Sequence, residues 1–174
     1  MSEIVIRPWT RDDLQAIRDI AWKTWLATYS SFIPEEDLQT FLDEFYSIAA
    51  LTKLLNSTQA RTFIAEIHAN AVGFSKTNFN DTDNRFYVAS LYVLPEFQGK
   101  GIGTRLMNAS EEFAFTFGVD SIWLGVMTQN VDALNWYKRI GFQFVREEPF
   151  TMGKTTVQHL IGFRTIKRNQ LHGN

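Results

Sequence analysis

The sequence predicts a mixed α/β layer architecture. Segments whose apolar residues recur every three or four positions alternate with short extended ones. Two extended segments flank a brief connection, which is a hairpin pattern. Another, Ser121-Ile122-Trp123-Leu124-Gly125-Val126, is nearly continuous in apolar residues, as a parallel strand covered on both faces would be.

Each element has its own local cause. Ile4-Val5-Ile6-Arg7 is a short strand that Pro8 ends. Thr10 stands three residues ahead of Asp13, a helix-start signal. Leu14, Ile17, Ala21, Trp25 and Thr28 then form one stripe, so a helix is expected over 11–29. Pro34 followed by Glu35, Glu36 and Asp37 opens a second helix, since proline suits the first turn and the acids suit its dipole. Ser47 caps a third, running to Leu55. Thr62–Ile67 and Val72–Thr77 flank His68-Ala69-Asn70-Ala71 as a hairpin, and Asn80–Asn84 is a polar loop. A strand from Phe86 to Val93 stops at Pro95. Ile102, Leu106, Ala109, Phe113 and Phe117 line one face of a helix over 100–117 that Gly118 ends. After the apolar strand, Val131–Ile140 is a helix ended by Gly141. Strands over 142–146 and 157–163 follow.

Composition excludes several function classes. The 174 residues are 45% hydrophobic and suit one domain, 1–174, with a sizeable core. Cysteine is absent, which removes disulfide scaffolds, thiolate nucleophiles and cysteine-ligated zinc. A net charge of −2 gives no basic footprint for nucleic acid. The N-terminus shows neither a basic n-region nor a long apolar h-region, and no apolar run has the length of a membrane span. The expectation is a cytoplasmic protein with no nucleic-acid or membrane partner. His68, His159 and His172 lack metal-ligand spacing, so no metal is expected.

The most informative segment is Leu91-Tyr92-Val93-Leu94-Pro95-Glu96-Phe97-Gln98-Gly99-Lys100-Gly101-Ile102-Gly103-Thr104. A strand ends, glycines alternate with other residues, and a helix begins. The unpaired N–H groups and the positive dipole end of such a helix favour an anion, most often a phosphate, although a tight strand–helix connection needs no ligand. A Walker loop needs a different spacing, and the dinucleotide fingerprint needs Gly-x-Gly-x-x-Gly near a first strand. Here the spacing is Gly-x-Gly-x-Gly, in mid-chain.

Gln98-Gly99-Lys100-Gly101-Ile102-Gly103 resembles the Gln/Arg-x-x-Gly-x-Gly/Ala signature of the GNAT superfamily of acyl-CoA-dependent N-acetyltransferases. Asn130 to Phe142 is similar to its Asn-x-x-Ala-x-x-x-Tyr-x-x-x-Gly-Phe, and Trp22 to Pro34 to an opening found in some members. Ile122–Val126, Tyr137–Phe142 and Met152-Gly153 resemble the branch of PaiA-type polyamine acetyltransferases. The resemblance implies a mostly antiparallel central sheet of about six to seven strands flanked by about four to five helices. It also implies acetyl-CoA as cosubstrate and a small amine, such as a polyamine, as acceptor. A peptide acetyltransferase or a non-catalytic acyl-CoA-binding module is the alternative, and a homodimer is compatible with it.

Site roles follow from the same resemblance. Amides from Gln98, Gly99, Lys100, Gly101, Ile102, Gly103 and Thr104 would hold the pyrophosphate. Leu91, Tyr92 and Val93 would pair their main chain with the pantetheine arm, and the Val93 N–H would polarise the thioester carbonyl. Tyr137 would protonate the departing thiolate; the alternative is a tyrosine that only packs. Asn130 is a helix cap with or without a contact to the CoA arm. Relatives that carry a glutamate before the glycine turn differ from this chain, which has Ala89-Ser90-Leu91-Tyr92, so the base is unassigned; Glu66 on the neighbouring strand could act through water or be an outward surface carboxylate. Acids on the helices after Pro34 (Glu35, Glu36, Asp37, Asp43 and Glu44) would face the incoming amine; the alternative is that they solvate a surface helix and favour its N-terminus.

Overall fold

A computed structural model describes residues 3–167. His172 lies outside them. Seven strands form one sheet in the order β1-β2-β3-β4-β5-β7-β6. They are β1 (Ile4–Pro8), β2 (Ala60–Ile67), β3 (Asn70–Asn80), β4 (Arg85–Val93), β5 (Ser121–Met127), β6 (Gln143–Met152) and β7 (Thr155–Thr165). Five helices flank it: α1 (Leu14–Tyr29), α2 (Glu35–Phe45), α3 (Ile48–Leu55), α4 (Ile102–Phe115) and α5 (Val131–Arg139). Every neighbouring pair of strands is antiparallel except β4 and β5.

The sheet separates two apolar layers. On one face Trp25 and Ile17 of α1, Tyr46 just after α2 and Leu51 of α3 cover Phe74 of β3, and Trp25 is 1% exposed. On the other face Leu106 and Phe113 of α4 and Leu134 of α5 cover Phe86 and Ile122. Truncating a core side chain as large as Trp25 costs about 3–5 kcal/mol.

Several boundaries differ from expectation. The first helix begins at Leu14, because Arg11–Asp13 winds as a tighter 3-10 turn. Thr10 does mark its start: the Asp13 carboxylate accepts the Thr10 N–H at 2.6 Å. Pro34 sits just before α2 rather than in its first turn, and Ser47 caps α3 by accepting the Ala50 N–H at 3.2 Å. The β2–β3 connection is only His68-Ala69, both at positive φ (50° and 60°), which is the geometry of a two-residue hairpin turn. β5 is parallel to β4 as expected, yet one of its faces lacks a helical cover: Trp123 is half-buried and stacks on Phe163, centroids 4.9 Å apart. β6 and β7 extend well beyond 142–146 and 157–163. Glu147-Glu148-Pro149 disguises the strand, but β6 is the sheet edge, where proline and charge are tolerated.

The ladder between β4 and β5 is short. Only Phe86↔Ile122 and Tyr87↔Trp123 pair. Beyond them the two strands part toward their C-terminal ends, and Ala89 forms a bulge on β4, since Lys76↔Ser90 is followed by Thr77↔Val88.

Candidate active site

A cleft of about 820 Å³ opens where β4 and β5 part. The carboxyl ends of strands around a parallel pair are the usual place for a ligand in α/β sheets. Its walls come from β4, the turn after β4, α4, α5 and the end of α1.

The β4 wall presents main chain. The Leu94 N–H donates to the Val72 carbonyl at 2.9 Å, so Leu94/Val72 is a hydrogen-bonded pair of the β3–β4 ladder. Orientation alternates along an antiparallel ladder. The adjacent pair Val93/Gly73 therefore turns the N–H and C=O of Val93 away from β3 and into the gap, and Leu91, two residues earlier, has the same orientation. The Gln98 side-chain amide donates to the Val93 carbonyl at 2.9 Å. The Val93 N–H is left facing the cleft.

The turn after β4 is built for an anion. Pro95–Phe97 forms a 3-10 turn in which the Gln98 N–H returns to the Pro95 carbonyl at 3.2 Å, so Gln98 acts here through its side chain. Gly101 has φ +79°, a left-handed conformation that costs other residues. A Cβ on Gly99 or Gly101 would meet nothing within 4 Å, so both face open space. The first return bond of α4 runs from the Arg105 N–H to the Gly101 carbonyl at 3.2 Å. The N–H groups of Ile102, Gly103 and Thr104 precede it and converge on the cleft at the positive end of the helix dipole.

The facing wall is α5. Asn130 caps it, its side-chain oxygen accepting the Ala133 N–H at 3.3 Å. The Asn130 side chain and the Tyr92 phenol also meet the Tyr29 hydroxyl, so the end of α1, β4 and the start of α5 come together at the inner end of the cleft. Tyr137 is 8% exposed, its ring 4.8 Å from that of Trp136 and 5.4 Å from that of Phe142. Burial, with the Tyr29 phenol nearby, pushes the Tyr137 phenol well above its ordinary value and keeps it protonated.

Ten of the residues singled out from sequence thus line one cleft: Leu91, Val93, Gln98, Gly99, Gly101, Ile102, Gly103, Thr104, Asn130 and Tyr137. Two lie elsewhere. The Tyr92 ring packs toward Trp25 and Phe74, at 6.1 and 5.6 Å, although its main chain stays in β4. Lys100 folds back so that its ammonium donates to the Glu96 carbonyl at 3.2 Å. Glu66 is held by Arg7 at 2.5 Å, and Arg7 also holds Asp13. That engagement puts it in an ion-pair cluster on β2, outside the cleft lining. Thr28, Gln129, Trp136 and Arg139 line the cleft without having been anticipated. Trp136 and Arg139 lie inside the second motif at unspecified positions, so the motif carried no signal for them.

The profile described as Acetyltransferase (GNAT) family matches residues 14–142, nearly three-quarters of the chain. The chain belongs to the GNAT acetyltransferase family. Among its relatives, streptothricin acetyltransferase of Streptomyces lavendulae is 34% identical over 86 residues, 49% of this chain and 46% of that protein, so the match spans about half of each. The spermidine N(1)-acetyltransferase of Thermoplasma acidophilum is 27% identical over 80% of this chain and 88% of that one. In structure, the PaiA N-acetyltransferase of Thermoplasma acidophilum, solved in complex with coenzyme A, superimposes with a TM-score of 0.80 at 23% identity, covering 94% of this chain and 99% of the other. The GNAT fold of this chain has the expected mixed sheet, with seven strands and five helices among the described residues.

Proposed function

We propose that this GNAT protein, acting as a single domain, moves the acetyl group of acetyl-CoA directly to a primary amine, with polyamines as favoured acceptors. One observation carries the reading: the cleft between the parting strands has a row of unpartnered helix-terminal N–H groups on one side and a buried, protonated phenol on the other. These residues fit a long thioester with a pyrophosphate. The open faces of Gly99 and Gly101 admit phosphate oxygens to the amides. The exposed main chain of Leu91 and Val93 suits an extended amide-bearing arm, added like a strand.

Acetyl-CoA supplies the activated acyl group and the leaving thiolate. The Val93 N–H faces the cleft, where it would stabilise the charge that develops on the carbonyl oxygen. As the neutral amine nitrogen bonds to the carbonyl carbon and the C–S bond breaks, Tyr137 gives its proton to sulfur, the new amide nitrogen releases a proton to solvent, and solvent returns one to the Tyr137 phenolate. Burial makes Tyr137 a weaker acid. A thiolate desolvated in the same cleft would become a stronger base, which offsets part of that loss. With no cysteine in the chain, an acyl-cysteine relay is closed and transfer is direct.

The polyamine preference rests on α2. Glu35, Glu36 and Glu44 are exposed there, whereas Asp37 and Asp43 are engaged, Asp43 by Arg18 and Gln39. Three free carboxylates raise the local concentration of a polycation. The similarity to a spermidine acetyltransferase supports the same acceptor class. Thiol release measured across polyamines, monoamines and peptides should give polyamines the highest kcat/KM. That advantage should shrink between about 0.01 M and 1 M salt, where the screening length falls from about 30 Å to about 3 Å. A preference for peptides, or indifference to salt, defeats the polyamine reading; CoA binding with no turnover on any amine defeats the transferase reading.

A further inference from the structure

The tip of the β6–β7 hairpin overhangs the sheet at the cleft end. The last β5–β7 pair is Met127↔His159, so Thr155–Gln158 run past the end of β5, roughly 13 Å at about 3.3 Å per residue. Their β6 partners, Pro149–Met152, run with them. This projecting arm folds onto the first turn of α2. The Asp37 carboxylate accepts the Lys154 N–H at 2.9 Å with one oxygen and the Thr155 hydroxyl at 2.5 Å with the other. Gly153, at φ +58°, comes so close that a Cβ there would sit 2.4 Å from the Asp37 carboxylate oxygen, so only glycine admits the contact. The bonds hold the Asp37 carboxyl below its ordinary value. Inside the arm, Met152 and Val157 pack in the same layer as Tyr29 and Ile33, at the end of α1 and in the α1–α2 connection. Phe150 meets Phe41 of α2 at 5.7 Å.

The expectation that Asp37 greets the amine with its charge is therefore replaced. Its oxygens are both spent on the hairpin. We infer that Asp37 is a positioning residue for the acceptor: by latching the β6–β7 tip to α2 it fixes the wall that stands beyond the inner end of the cleft, next to Tyr29, and so sets how the amine is held without touching acetyl-CoA. The residues of the cosubstrate walls (β4, the glycine turn and α5) make no bond to the latch. This rests on the acyl-transfer reading above.

The test uses Asp37→Ala, Asp37→Asn, Thr155→Val and Gly153→Ala in the full chain, with two readouts. Hydrogen exchange is followed at 149–157 and at 91–105, and KM is measured separately for spermidine and acetyl-CoA. Exchange at the tip should rise at least tenfold in Asp37→Ala and Gly153→Ala and stay unchanged at 91–105. The spermidine KM should rise at least fivefold while that for acetyl-CoA stays within twofold. Thr155→Val, which keeps one bond, should lie between, and Asp37→Asn, whose amide can still accept from Lys154 and meet Thr155, should return both readouts to near the parent values. Unchanged exchange at the tip overturns the latch. Faster exchange with both KM values moving together, or neither moving, overturns the positioning role. An unmutated protein that opens no thioester with any amine removes the transferase reading and the positioning role with it, while the exchange data still report on the contact.

Discussion

Gly103 lies against the indole of Trp136: a Cβ on Gly103 would stand 3.3 Å from its Cζ2 atom. The third glycine of the turn after β4 thus sets how closely α4 approaches α5, whereas Gly99 and Gly101 face open space. One short run of glycines does two separate jobs, ligand access and helix packing.

The two jobs predict different phenotypes. Gly101→Val puts a branched side chain at a left-handed position and into the anion cradle. It should weaken acetyl-CoA binding at least tenfold by titration calorimetry, at a stability cost of about 1–3 kcal/mol, with a native circular dichroism spectrum. Gly103→Val should instead lower Tm and alter the near-ultraviolet signal of Trp136. Equal affinity in a folded Gly101→Val protein would take that glycine out of the site.

Tyr137→Phe keeps the ring among Trp136 and Phe142 and removes only the hydroxyl. We expect kcat, read by thiol release, to fall ~10²-fold, with the acetyl-CoA dissociation constant changed less than twofold. If kcat survives, solvent protonates the thiolate and the tyrosine is a packing residue.

Much of this was legible in the chain, for local reasons. Periodicity placed α1 and α4, Pro34 with its acids and Ser47 marked the starts of α2 and α3, Ser47 and Asn130 cap the helices they precede, and the family resemblance put Gly101, Asn130 and Tyr137 on one cleft. What escaped is long-range. Nothing near Phe86 or Ile122 states that their strands pair for two residues and then diverge. Asp37 reads as a helix-start acid, which it is, while its bonds reach Lys154 and Thr155, more than a hundred residues away. Pro149 argues against a strand unless the strand is known to be an edge, and edge position is decided by the whole sheet.

Lys76 offers a pH test of packing. It lies on β3 with its ammonium 4.0 Å from the centre of the Tyr46 ring, and desolvation lowers its pKa from 10.5 to about 8. The unfolded chain therefore holds the proton more tightly. Between about pH 8 and 10.5 the unfolded state binds more protons, so stability rises with pH across that window, and below it the full penalty applies. Lys76→Met should stabilise the protein at pH 7 by on the order of 1 kcal/mol and flatten the rise between pH 7 and about 9.5, below the range where phenols titrate. Chemical denaturation of both proteins across that range checks it. A parent curve that is flat or falling, with no gain in the variant, would mean that the ammonium is well solvated.

The two-residue ladder between β4 and β5 has a consequence for folding as well as for binding. The strands β1–β4 and β5–β7 are sewn together by two backbone pairs and by the side chains of α4, so the seam is the weakest line in the sheet. Any molecule that spans it and bonds to the main chain of Leu91 and Val93 acts as a missing strand and ties the halves together. Its binding free energy is then added to that of the fold, by about 2.7 kcal/mol at a hundred times the dissociation constant. On the acyl-transfer reading proposed above, the lifetime of this protein against heat and proteolysis would then rise with the supply of acetyl-CoA.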